Sequence, residues 1–183
     1  MRNPWTTLRK TRALETPVFD VHELAKIRPS DPDNVRRFYV LEAVDWVNII
    51  PVTANQEVVF IQLYRQGIDD WSLEVPGGMI DRTDRTPADA ASREMAEETG
   101  YGARDIIPLG CVEPNPALQA NRCHSFYAPN AERVGPQNLD PGEDIEVVLH
   151  RIEEVPELMK SGRIRHSLVV AAFYWLDQIA SSQ

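Results

Sequence analysis

Three glutamates crowd one short stretch of the chain, Arg93-Glu94-Met95-Ala96-Glu97-Glu98-Thr99-Gly100. In a helix, Glu94 lies three residues from Glu97 and four from Glu98, so the three side chains share a face. Like charges at that spacing cost a few tenths of a kcal/mol per pair. Glu97 and Glu98 also fall in the last turn, where the helix dipole favours cations. Arg93 can offset one of these charges but not three. A hard divalent cation wants this kind of oxygen cluster, with substrate phosphates completing the shell. The competing reading is a solvated acidic face, which is frequent on surface helices.

The elements that must position these acids are legible around them. Thr86 suits the N-cap and Pro87 the first helical position, and Asp89 stands where a capping box has Glu or Gln. The helix body runs over Ala88–Thr99, and Gly100 supplies the stop. Ahead of it, a strand over Trp71–Val75 ends at Pro76-Gly77-Gly78, read as a sharp break. The first 80 residues read as strands: Val18–Leu24, Arg36–Glu42, Trp46–Val52 and Val58–Tyr64, with turns at residues 29–34 and 53–56. Beyond the helix come strands over Asp105–Glu113, Asn121–Ala128 and Asp144–Ile152, with a polar loop over Gly135–Glu143. Helices over Glu154–Ser161 and Leu168–Ser181 close the chain. The fold class is α/β (α+β), a mixed sheet with helices packed on it in one domain.

Composition narrows the partners. Twenty-eight acids against nineteen bases give a net charge of −9, which argues against a nucleic-acid or anionic-membrane surface. The N-terminal stretch has basic residues but no apolar core of a signal peptide, and the longest apolar run, Leu168–Leu176, is too short to span a bilayer. Cys111 and Cys123 form no metal-binding pair, and free thiols fit a reducing compartment. The expectation is a cytoplasmic protein.

Gly78, Arg93, Glu94, Met95, Glu97, Glu98, Gly100 and Tyr101 together resemble the Nudix box, G-x5-E-x7-R-E-U-x-E-E-x-G-U with U a bulky apolar residue. The box covers residues 77–101 and runs from strand through loop into helix, as the family's does. Two departures stand out. Gly78 to Arg93 is one residue longer than the pattern, and the first glutamate is missing. Its place falls to Asp84 counted from the start of the loop, or to Arg85 counted from its end.

The flanks resemble the ADP-ribose and nucleoside-diphosphate-sugar pyrophosphatase branch. Tyr64-Arg65 is similar to its Q-Y-R with Leu63 at the glutamine, and Leu73-Glu74-Val75-Pro76-Gly77-Gly78 to its L-E-x-P-A-G. Pro116 falls where a proline marks ADP-ribose hydrolases, and Gly142-Glu143-Asp144-Ile145 resembles the loop that carries the catalytic glutamate. The resemblance implies a mixed sheet sandwiched between helices, with an N-terminal antiparallel strand extension over residues 1–45 that builds a homodimer. It implies Mg²⁺ or Mn²⁺, more than one ion per site, held by Glu94, Glu97, Glu98 and the carbonyl of Gly77. Glu143 is the candidate base, with Glu146 in reserve, and Glu97 and Arg93 join it as catalytic candidates. Arg65, Glu74, Arg122 and Pro116 are the substrate-binding candidates. The reaction implied is attack of water on a nucleoside diphosphate derivative, ADP-ribose favoured, releasing a nucleoside monophosphate and a sugar phosphate. GDP-mannose or another dinucleotide or sugar nucleotide is the alternative substrate, and a non-catalytic binding module the alternative class. Trp46, Trp71 and Tyr127 are candidates for stacking on a base, although strand aromatics more often serve the core. His124, His150 and His166 read as structural.

Overall fold

The computed structural model describes residues 3–180; Met1, Arg2 and the expected helix end at Ser181 lie outside them. The chain divides into two compact units, Met1–Val44 with Glu113–Arg122, and Asp45–Val112 with Cys123–Gln183.

The first unit is an antiparallel sheet of β1 (Thr6–Glu15), β2 (Asp20–Arg28) and β3 (Asp31–Glu42), in the order β1-β2-β3. Leu41 bonds to the 113–122 segment through Leu41 N to Leu118 O at 2.8 Å and Ala120 N to Leu41 O at 3.0 Å. Sequence reading missed β1. TTLRKTRALE has no apolar period, every residue of it is exposed, and pairing with β2 rather than a buried face makes it a strand. The turn read over 29–34 is shorter, because β3 already begins at Asp31. Pro32 can lie in it because β3 is an edge strand, where a missing N–H breaks no ladder.

The second unit is built on a mixed sheet. Its strands are β4 (Trp46–Val52), β5 (Glu57–Arg65), β6 (Asp70–Glu74), β7 (Gly77–Met79), β9 (Ile107–Val112), β10 (Cys123–Pro129) and β12 (Ile145–Arg151), with β8 (Tyr101–Gly102) and β11 (Glu132–Arg133) forming a small second ladder. The order is β12-β5-β4-β10-β9, and β4 and β10 run parallel. Strands β4 and β5 are partnered at Val52 and Val58. Elsewhere β5 takes β6 and β4 takes β7. This splay corrects the reading of Pro76-Gly77-Gly78 as a break. Gly77 and Gly78 form a short strand opposite Asn48 and Val47.

Alternate residues of β4 face opposite sides of the sheet, and both sides are covered. Val47 and Ile49 pack with Ala90, Ala91 and Met95 of α1 (Pro87–Thr99). Ile50 and Val52 join Phe60, Leu73 and residues of α2 (Val155–Lys160) and α3 (Ser167–Ala180). The expected sandwich of sheet between helices is therefore present. Helix α1 is capped as its sequence directs: the Thr86 hydroxyl accepts from Asp89 N at 3.2 Å, and Gly100, at φ 71°, sends its N–H to Ala96 O. Among the described residues no helix is long and apolar enough to cross a membrane.

Cys123 is buried in β10, and burial pushes its thiol up to about 12, whereas Cys111 is exposed. Native protein at about pH 8 should therefore yield one fast-reacting thiol per chain with a disulfide reagent, and two in concentrated guanidinium. Equal reactivity of both thiols in the folded protein would contradict this packing.

Candidate active site

The splay between β4 and β5 brings β7 against α1, and the glycines of β7 are what allow it. A Cβ on Gly77 would strike the Val47 carbonyl, and one on Gly78 would strike the Glu94 carboxylate. Gly77 N donates to Glu98 Oε2 at 2.8 Å. Glu98 is nonetheless 4% exposed. Burial pushes its carboxyl up to about 8; the Gly77 hydrogen bond opposes this, while Glu94 and Glu143 add to it. Glu94 is also raised, by burial first, with Arg93 pulling the other way.

Arg93 answers part of this charge. Its Nη1 lies 2.9 Å from both Glu94 Oε1 and Glu97 Oε2, and its Nη2 donates to the Met79 carbonyl at 3.1 Å. Its Nε and Nη2 grip Asp84 at 3.2 and 2.9 Å. The missing first glutamate of the box thus has a substitute, and of the two candidates it is Asp84, not Arg85. A side chain one methylene shorter is delivered to Arg93 by a loop one residue longer. Asp84 is held below the usual carboxylate range by this bidentate contact. Arg85 points outward, 3.8 Å from Asp89 with its side chain 90% exposed.

Two cavities adjoin here. The acidic one is lined by Arg93, Glu94, Glu97, Glu98, Glu143 and Asp144 among others. The second, about 320 Å³, is mostly apolar, with Trp46, Val75, Leu168 and Val169 beside Asn48 and His166. Arg65, Gly77, Gly78 and Met79 line both. Arg65 is anchored by Glu74, donating from Nε and Nη2 at 3.0 and 2.8 Å. Burial pushes the Glu74 carboxyl up, and the Arg65 pair overcomes that and holds it below its ordinary value.

The structure therefore gathers Arg65, Glu74, Gly77, Arg93, Glu94, Glu97, Glu98 and Glu143 around connected cavities. Arg122 and Pro116 belong to the other compact unit, are exposed, and line neither cavity. Glu146 is exposed on β12 opposite Gln62 and is absent from the acidic lining, which includes Glu143. Trp46 lines the apolar cavity, Trp71 stands edge-on to Tyr64, and Tyr127 packs on the core. His124 and His150 pair with Asp45 and Glu154. Asn48, Met79 and Asp84 carried no distinctive signal; only the one-residue lengthening of the loop pointed to Asp84.

The donor set fits a hard divalent cation. It is all oxygen, and a cation bound there would offset the burial and the neighbouring carboxylates that raise Glu98, restoring its charge. Among the described residues, no three His, Cys, Asp or Glu side chains already close around an ion position.

The family model of the NUDIX domain matches residues 44–173. A CMP-5'-(N-acetyl-N-hydroxy-3-aminopropyl)phosphonate hydrolase of Streptomyces rubellomurinus is 32% identical over 118 residues, covering 63% of this chain and 55% of that relative's length. The ADP-ribose pyrophosphatase of Bacillus subtilis is 24% identical over 132 residues, 72% of this chain and 71% of the relative. A crystal structure of an ADP compounds hydrolase superposes with a TM-score of 0.87 at 19% identity, covering 100% of this chain and 97% of that one.

Replacing Asp84 removes the grip on Arg93 while leaving the box acids in place. Asp84→Ala should lower unfolding free energy by about 1–3 kcal/mol, read by urea denaturation. Asp84→Asn should lose less, because it still offers an acceptor of the same shape. Wild-type stability in both variants would remove Asp84 from this role.

Proposed function

The chain belongs to the Nudix hydrolases, and from that premise we propose that it cleaves the pyrophosphate bond of a nucleoside diphosphate derivative, ADP-ribose favoured, with a divalent cation. The observation that carries this reading is the pair of cavities joined through Arg65, Gly77, Gly78 and Met79. A diphosphate bridging them would rest its charge on the acidic side, where a cation mediates, and its nucleoside arm on the apolar side. Relatives named for a CMP-linked phosphonate and for ADP-ribose both handle a nucleotide arm.

In this reading Glu94, Glu97, Glu98 and the Gly77 carbonyl would hold Mg²⁺ or Mn²⁺, in more than one ion. Bound there, the metal supplies charge neutralisation on the diphosphate and a lower pKa for water. Arg93 holds Glu94 and Glu97 to one face, and its own contacts to Asp84 and the Met79 carbonyl keep it from following the substrate. Arg65 offers guanidinium N–H groups to a phosphate while buried Glu74 fixes its orientation. Glu143 takes the proton of the attacking water. It sits in an exposed turn, where it accepts from Asp140 N at 2.9 Å and is free to be recruited. Trp46 is the flat wall on which a base would lie.

A homodimer formed through residues 1–45 belongs to the same proposal. Leu8, Leu14, Val35, Phe38 and Tyr39 are exposed there in the single chain, which is the kind of surface a second copy covers.

A panel of ADP-ribose, GDP-mannose, other sugar nucleotides and dinucleotides, assayed with Mg²⁺ and with chelator, tests the function. Release of a nucleoside monophosphate and a sugar phosphate, abolished by chelator, is the expected result. Glu94→Gln and Glu98→Gln should each reduce kcat about 100-fold or more. Failure on every diphosphate-linked compound, or full turnover in those variants, would overturn it.

A further inference from the structure

The segment between β11 and β12 lies along the last turn of α1 and closes that helix. A helix end leaves carbonyls without partners, and α1 has no basic residue in its last turn to meet them. The segment meets them instead. Asn138 N donates to Glu97 O at 2.8 Å, and Val134 N to Gly100 O at 2.9 Å. Gln137 Nε2 donates to Glu98 O at 2.6 Å and also to Ile145 O at 3.1 Å. One amide nitrogen, with its two hydrogens, thus joins the end of α1 to the first residue of β12.

Both joined residues matter to the site. Glu98 is held at its carboxylate by Gly77 N and at its carbonyl by Gln137, so a shift at one end moves the other. Ile145 lies two residues after Glu143. The turn carrying Glu143 is closed on itself, through Glu143 N to Asp140 O at 3.0 Å and Asp140 N to Glu143 Oε2 at 2.9 Å, with Gly142 at φ 102°. Its place over the cleft therefore depends on its flanks. Leu139 packs on Ile61, Leu63 and Ile145 on one flank, and Gln137 spans from α1 to the other. A lysine or arginine could cap the same carbonyls, but it would set a fixed cation beside the carboxylates that the metal needs. A neutral amide caps them without that competition.

We propose that Gln137 is a positioning residue that sets the Glu143 turn against the acidic face of α1, so that the base and the metal-holding carboxylates act at one phosphorus. The inference rests on the reading of Glu143 as the base. Gln137→Leu keeps much of the bulk, one atom shorter, and removes the donors. Gln137→Glu keeps length and polarity but aims acceptors at two carbonyls.

The experiment is a double-mutant cycle with Glu143→Gln, measured as kcat and KM on the best substrate of the panel, with melting midpoints alongside. Gln137→Leu and Gln137→Glu should each lower kcat between about 10- and 100-fold, with KM within about twofold. In the Glu143→Gln background the same substitutions should cost almost nothing further, because the group they position is already gone. A purely structural role would give the same loss in both backgrounds, and that result overturns the proposal, as does wild-type kcat in both single variants. Full turnover in Glu143→Gln alone would overturn the reading of Glu143 as base, and this proposal with it.

Discussion

Burying Glu98 beside Glu94 is the constraint around which the site is arranged. A desolvated carboxylate near other carboxylates is unfavourable, and every neighbouring feature answers that cost or exploits it. Gly77 approaches closely enough to donate its N–H, which requires β7 to pair with β4 rather than leave the sheet. Gly78 has no side chain because the Glu94 carboxylate fills the space. Arg93 pairs with Glu94 and Glu97 and is itself divided between these acids and Asp84. The residual negative charge is what divalent cations would offset, and cations held there would in turn meet the charge of a diphosphate.

The same arrangement sets an acidic and an apolar cavity side by side, sharing Arg65, Gly77, Gly78 and Met79. The splay of β4 and β5 opens the sheet where β6 and β7 fill it, so α1 lines the acidic cavity while Leu168 and Val169 of α3 line the apolar one. Arg65 belongs to both cavities because the β5–β6 pairing places it within reach of buried Glu74. The acidic and apolar linings are thus separated by strands within one compact unit.

Much of this was legible in the sequence, because its signals were local. Thr86-Pro87 and Gly100 bound α1 almost to the residue, and the strand read over Trp46–Val52 is β4. The acids needed only helical spacing to be placed together. What the sequence hid was non-local or lacked pattern. β1 has no buried face, so only its pairing with β2 reveals it. Gly77-Gly78 reads as a breaker until β4 is set beside it, where the same lack of side chains becomes the reason for the strand. Asp84 and Arg85 were equal candidates from counting, and only the path of the lengthened loop brings Asp84 to Arg93. Gln137 gave no signal at all, since its two acceptors are backbone carbonyls far apart in the chain.

The central proposal is that the α1 carboxylates are what hold the divalent cation. Titration of the protein with Mn²⁺, followed by electron paramagnetic resonance without substrate, tests it most directly. The account predicts saturable Mn²⁺ binding to the wild-type chain, weakened at least about tenfold in Glu98→Gln and in Glu94→Gln, with both variants folded. Equal Mn²⁺ affinity in the wild type and in both variants would contradict it.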